Sequence, residues 1–101
     1  MPRGLTERMK SNIAMVLEIL RKYQPIHIRG IAKIMSQVQG KHVDAKTINR
    51  IVDNYLEGFV DVEKTDRYGN TLKFVSLKSE KQSATLQDVL KLLEIKKSIK
   101  Q

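Results

Sequence analysis

The stretch 43-VDAKTINRIVDNYLEGFVDVEKT-65 changes its hydrophobic period part-way along, and that change decides the fold. Up to Gly58 the apolar residues Ile48, Ile51, Val52 and Tyr55, with Leu56 at the margin, recur at helical spacing, and Asp44 stands where an N-cap belongs. Beyond Gly58 the period becomes two: Val60 and Val62 alternate with Asp61 and Glu63, the pattern of a half-buried strand. Gly58 between them suits the left-handed position that closes a helix. The helix also sorts its charge. Stepping about 100° per residue from Ile48 at the centre of the buried face, Lys46, Arg50, Asp53 and Glu57 fall opposite the core, cations first and acids last.

Working outward, Thr6 caps a first helix that runs to about Tyr23, with Met9, Ile13, Val16, Leu17 and Leu20 as its apolar stripe and Pro25 beyond its end. "PIHI" is too short for a helix and reads as a very short strand. A second helix is expected over Arg29–Gln37, burying Ile31, Ile34 and Met35, and "QGKHV" is the turn into the third, with Gly40 as the breaker. Downstream, "DRYGN" is a strong turn signal between two alternating segments, "FVDVEKT" and "TLKFVSLK", and together they make a β-hairpin. "SEKQS" is a linker. A last helix begins at about Thr85, with Asp88 at the capping-box position and Leu86, Val89, Leu90 and Leu93 as its stripe, and it frays into "KKSIKQ".

With 101 residues the chain is expected to form one domain with a modest core. It has 41% hydrophobic and 30% charged residues, a globular composition rather than a disordered one. The absence of cysteine excludes disulfides and thiolate metal sites. No apolar run reaches the length of a membrane span, and the N-terminus lacks the apolar core of a signal peptide, so a cytoplasmic protein with no membrane partner is expected. The net charge is +8 and the isoelectric point about 9.9, a field that attracts polyanions. Residues 1–50 hold ten Lys/Arg against three Asp/Glu, and residues 51–101 nine against eight, so the first half carries most of the excess.

The order helix, short strand, helix, turn, helix, hairpin, helix resembles the winged helix-turn-helix family. The resemblance covers residues 6–78 and rests on "PIHIRGIAKIM", "DAKTINRIVDNYLEGFV" and "VEKTDRYGNTLKFVSL". The pair Ile31-Ala32 resembles the family's common "IA" near the start of the second helix. With its added C-terminal helix the chain looks like small dimeric archaeal winged-helix DNA-binding proteins. The resemblance implies an α+β fold, mostly α, with a three-helix core and a β-hairpin wing. It divides the chain into a basic N-terminal arm (1–5), a winged-helix domain (6–78) and a linker with a dimerisation helix (79–101). It also implies double-stranded DNA as the partner, a role in transcription regulation or DNA organisation of the chromatin type, and no cofactor.

In that docking the N-terminal part of the third helix meets base edges. Lys46, Thr47, Asn49 and Arg50 are then the base-contact candidates: Arg and Lys suit guanine, and Asn suits adenine. The backbone-contact candidates are Arg29, Lys41, His42, Lys64, Arg67, Tyr68 and Lys73. Arg29 and Gly30 open the second helix, where free N–H groups suit a phosphate. Arg3, Arg8 and Lys10 add a basic arm. Asp61, Glu63 and Asp66 leave the wing nearly neutral, which counts against strong binding through it. Leu86, Val89, Leu90 and Leu93 are assigned to a homodimer interface, the competing arrangement being a fold-back on the first helix.

Two other functions compete. Winged helices also serve as protein-interaction modules, since fold does not fix function. RNA is attracted by the same charge, although an aromatic content of 5% offers few stacking platforms for single strands. Catalysis has little support: His27 and His42 are isolated from other metal-ligating residues, and no phosphate-binding glycine loop or nucleophile–base pair is present. His27 alternates away from the apolar side of "IHI" and is expected to pack at the surface or at the hairpin edge.

Overall fold

The computed structural model describes residues 6–67 and 69–99. Their elements are α1 (Glu7–Tyr23), β1 (Ile26–His27), α2 (Ile28–Gln39), α3 (Ala45–Tyr55), β2 (Val60–Arg67), β3 (Asn70–Leu77), a short 3-10 turn (Ser79–Lys81) and α4 (Leu86–Ile99). Each helix starts on a side chain that satisfies an orphan amide. Thr6 accepts the Met9 N–H, Asp44 the Lys46 N–H, and Asp88 reaches back to the Thr85 N–H at 2.9 Å, one half of the expected capping box, while the Thr85 hydroxyl donates to the same carboxylate.

α2 is longer than its apolar pattern predicts, beginning at Ile28 and ending at Gln39. The one residue added at its start goes with an unexpected cap: His27 Nδ1 accepts the Gly30 N–H at 2.7 Å. At the other end Gly40 adopts φ 71°, the left-handed cap that releases the chain toward α3. Ser36 fixes this turn. Its hydroxyl donates to the Ala32 carbonyl and accepts the Val43 N–H, both at 2.8 Å. α2, this turn and α3 form a helix-turn-helix.

α3 stops at Tyr55, three residues before Gly58, with Leu56 as its C-cap. Gly58 is not left-handed, as it was expected to be. A Cβ there would lie 3.2 Å from Leu92 Cδ2, so the missing side chain gives α4 room to approach. Leu56, read as marginal, is fully buried, and so are Ile48, Ile51 and Val52.

The three strands pair in the order β1-β3-β2, both pairs antiparallel. β2 and β3 form the hairpin, with Val60 opposite Leu77, Lys64 opposite Lys73 and Arg67 opposite Asn70. Gly69, at φ 80°, supplies the left-handed residue of its tip. β1 covers only Ile26 and His27, facing Val75 and Phe74, so the far half of the hairpin projects beyond the core. Val62 lies opposite Val75 but on β2, an edge strand of the sheet. It alternates with the acidic residues as expected, yet it is 41% exposed, whereas Val60 and Val75 are buried.

The core draws on every helix. Ile13, Leu17 and Leu20 of α1, Ile31 and Met35 of α2, and Val89 of α4 are all fully buried. Ile19, Phe59 and Ala84 join them although the periodicity did not assign them. Two glutamines bind the ends together: Gln24 Oε1 accepts the Leu77 N–H at 2.8 Å, and Gln82 Nε2 donates to the Leu77 carbonyl at 2.8 Å. The fold is α+β, mostly helical: a winged helix-turn-helix with a C-terminal helix folded onto it.

Candidate nucleic-acid interface

Asp44 starts α3 so that Lys46 lies in its first turn, with Asn49 and Arg50 one turn later. Lys46 and Arg50 are exposed, and Asn49 is half-buried. Together with Asp53 and Asn54 they form a shallow depression on the outer face of the helix. Thr47 is half-buried and lines neither this depression nor the groove beside it.

That groove, of about 430 Å³, lies between the start of α2, the start of α3 and β3. Arg29, Lys46, Asn49 and Lys73 all line it, with His27 and Thr71. Residues assigned separately to base and backbone contact therefore meet around one concavity, because the wing folds back beside the third helix.

The geometry changes three assignments. Lys73, read as a backbone contact, is directed at α3: its Nζ donates to Asn49 Oδ1 at 2.6 Å and to Asp53 Oδ1 at 2.7 Å. Only 20% of its side chain is exposed. Gly30 does not offer its N–H to a phosphate, because His27 Nδ1 already accepts it. Val89, assigned to a dimer interface, is fully buried in the chain's own core, and Leu86 and Leu93 pack against that core. The apolar stripe of α4 is thus largely used within one chain, as in the fold-back arrangement, and only Leu90 of the four is not packed against the core.

Other candidates keep their places. Lys41 and His42 are exposed in the turn before α3, Arg29 is exposed at the start of α2, and Lys64 is exposed on β2. The register puts Lys64 on the same face of the hairpin as Lys73, and Asp61 and Glu63 sit on alternate faces of β2 from Val60 and Lys64, respectively. Thr71 Oγ1 donates to Asp66 Oδ1 at 2.7 Å, so that carboxylate has a partner near the tip. Arg8 and Lys10 belong to α1 rather than to an arm, and Lys10 pairs with Glu7 at 3.3 Å. Arg3, Tyr68 and the side chain of Arg67 lie outside the described residues.

Sequence reasoning missed His27 as a cap and Lys73 as a strut. Histidine is not among the usual capping residues. The strut joins residues 24 and 20 positions apart, which only the strand register brings together.

By sequence the chain matches no known protein family and no curated protein. By structure it is similar to the crystal structure of a "putative transcriptional regulator" from Thermoplasma acidophilum, with a TM-score of 0.64 and 21% identity, covering 95% of this chain and 98% of that one. The two chains share a fold. The likeness extends over nearly all of both, so it includes the segment beyond the wing. Among the described residues, no group of three or more His, Cys, Asp or Glu could hold a metal ion, and no helix is long and apolar enough to cross a membrane.

Proposed function

We propose that the chain binds double-stranded DNA as a transcription regulator or DNA-organising protein, without a cofactor, laying the first turns of α3 in the major groove. The observation that carries this reading is the convergence of Arg29, Lys46 and Asn49 on one groove, next to exposed Arg50. A helix offering cations and an amide from its N-terminal half suits base edges there. Lys41, His42 and Lys64 flank this face and suit phosphates. The fold shared with a protein described as a "putative transcriptional regulator" agrees with the reading. So does a charge of +8 concentrated in the first half of the chain.

The same reading places the protein in the cytoplasm as a homodimer, in which two-fold symmetry sets two α3 helices about 34 Å apart. With Val89, Leu86 and Leu93 turned to the chain's own core, the dimer would use the outer side of α4 around Leu90. The test is the double variant Lys46→Glu/Arg50→Glu. It is expected to lose duplex binding while its thermal unfolding stays close to that of the parent. Unchanged duplex binding would remove this face from the interface. No binding by the parent would favour a protein-interaction module.

A further inference from the structure

We propose that Lys73 is a positioning residue for base reading: it turns the Asn49 amide so that its NH2 group is left for a base edge, giving a preference for guanine over adenine at the step facing Asn49. This rests on the DNA-binding reading above and deepens it.

An ammonium carries three protons and no lone pair. The 2.6 Å contact from Lys73 Nζ therefore fixes which end of the Asn49 amide faces the wing: the oxygen. The second bond, to Asp53 at 2.7 Å, holds the ammonium one turn further along α3, and with its side chain only 20% exposed Lys73 has little freedom to leave. Reading adenine takes both ends of an asparagine, the oxygen accepting from N6 and the NH2 donating to N7. Here a charged donor, the stronger kind of hydrogen bond, holds one lone pair of Asn49 Oδ1 and fixes the amide, so adenine N6 is left a single lone pair and one direction of approach. Guanine presents acceptors only, O6 and N7, in the major groove. It needs no more than the NH2 that Lys73 leaves available.

The same strut accounts for the acid on this face. Asp53 stands one turn from Asn49, where a bare carboxylate would repel a phosphate, and Lys73 neutralises it. Lys64, opposite Lys73 in the strand register, is exposed and remains the cation of that rung for the backbone.

The experiment takes the duplex selected by the parent protein from a random library and replaces each guanine in turn by adenine or 7-deazaguanine. Binding is measured for the parent, Asn49→Ala, Lys73→Met and Lys73→Arg. One guanine is expected to matter about five- to tenfold to the parent, the worth of one to two hydrogen bonds, and not to matter to Asn49→Ala. In Lys73→Met, guanine and adenine at that step should come within about twofold of each other, with preferences elsewhere intact. Lys73→Arg, which keeps the donors, should restore the discrimination. A uniform loss across all sequences in Lys73→Met, with every base preference kept, would make Lys73 a phosphate contact and overturn the proposal.

A second readout needs no DNA. The Asn49 side-chain NH2 resonances of the free protein should shift in Lys73→Met and stay near their parent positions in Lys73→Arg. Unmoved resonances in Lys73→Met would overturn the positioning role. A parent that binds no duplex would overturn the base preference together with the function it rests on, while these resonances would still report whether Lys73 orients Asn49.

Discussion

Ser36 and Val43, seven residues apart, are joined across the helix-turn-helix by a 2.8 Å hydrogen bond from the Val43 N–H to the Ser36 hydroxyl. That hydroxyl also donates to Ala32, so one side chain anchors α2 and sets where α3 begins. Ser36→Ala leaves a part-buried N–H without its acceptor, and the expected loss is about 1–3 kcal/mol of stability. Denaturant unfolding measures it, and a loss under half that range would show that water replaces the hydroxyl.

The His27 cap predicts an unusual glycine requirement. A Cβ at Gly30 would lie 3.0 Å from His27 Nδ1 and Cε1 and 3.0 Å from Ile26 Cγ1. The ring cannot easily yield, since it accepts the Gly30 N–H and packs 5.6 Å from the Phe74 ring. Gly30→Ala should therefore destabilise the protein by about 1–2 kcal/mol, although alanine is ordinarily the better helix former. His27→Ala should cost roughly 1 kcal/mol as a lost cap. In the double variant the penalty of Gly30→Ala should shrink, because the two ring contacts are removed and only the approach to Ile26 remains. Additive losses in unfolding experiments would place the strain elsewhere.

α4 divides into a buried side and an outer side, and two kinds of substitution separate them. Val89→Ala should lower stability by roughly 2 kcal/mol through the cavity it leaves in the core. Leu90→Asp, at the one residue of the stripe not packed against the core, should shift any dimer toward monomer in sedimentation or light scattering. A variant that stayed dimeric would exclude this part of α4 from the interface.

Arg50 and Lys46 should differ in how they fail. Arg50→Ala is expected to weaken binding to a preferred duplex by about 1–3 kcal/mol and to relax the preference at one position. Lys46→Ala, if Lys46 meets a phosphate, should weaken binding evenly across sequences and reduce the salt slope by about 1. Titrations of both variants on preferred and scrambled duplexes distinguish them. Unchanged affinity in Arg50→Ala would remove Arg50 from the site.

Most of the fold can be read from local pattern. The period of 3.6 through Val52 and of 2 from Val60 places α3 and β2, and Thr6, Asp44 and Asp88 mark helix starts through side chains that bond within three residues. What escapes reading is the long-range part. Gly58 looks like a helix terminator, but its small size serves the approach of Leu92, 34 positions later. Val89 looks like an interface residue because an amphipathic stripe does not say whether its partner is the same chain or another. Of the candidate site, Lys46 and Arg50 keep the exposure their helical phase requires. The role of Lys73 depends on a strand register that no local spacing encodes.

The central claim is that the cationic face around α3 binds duplex DNA. The measurement that tests it most directly is affinity for a labelled random-sequence duplex across a salt series, with a matched RNA duplex alongside. If Arg29, Lys41, Lys46 and Lys64 each meet a phosphate, log K should fall against log salt with a slope of about −3 to −4, and RNA should bind more weakly. No binding to DNA at low salt, or equal binding to RNA with the same slope, would contradict it.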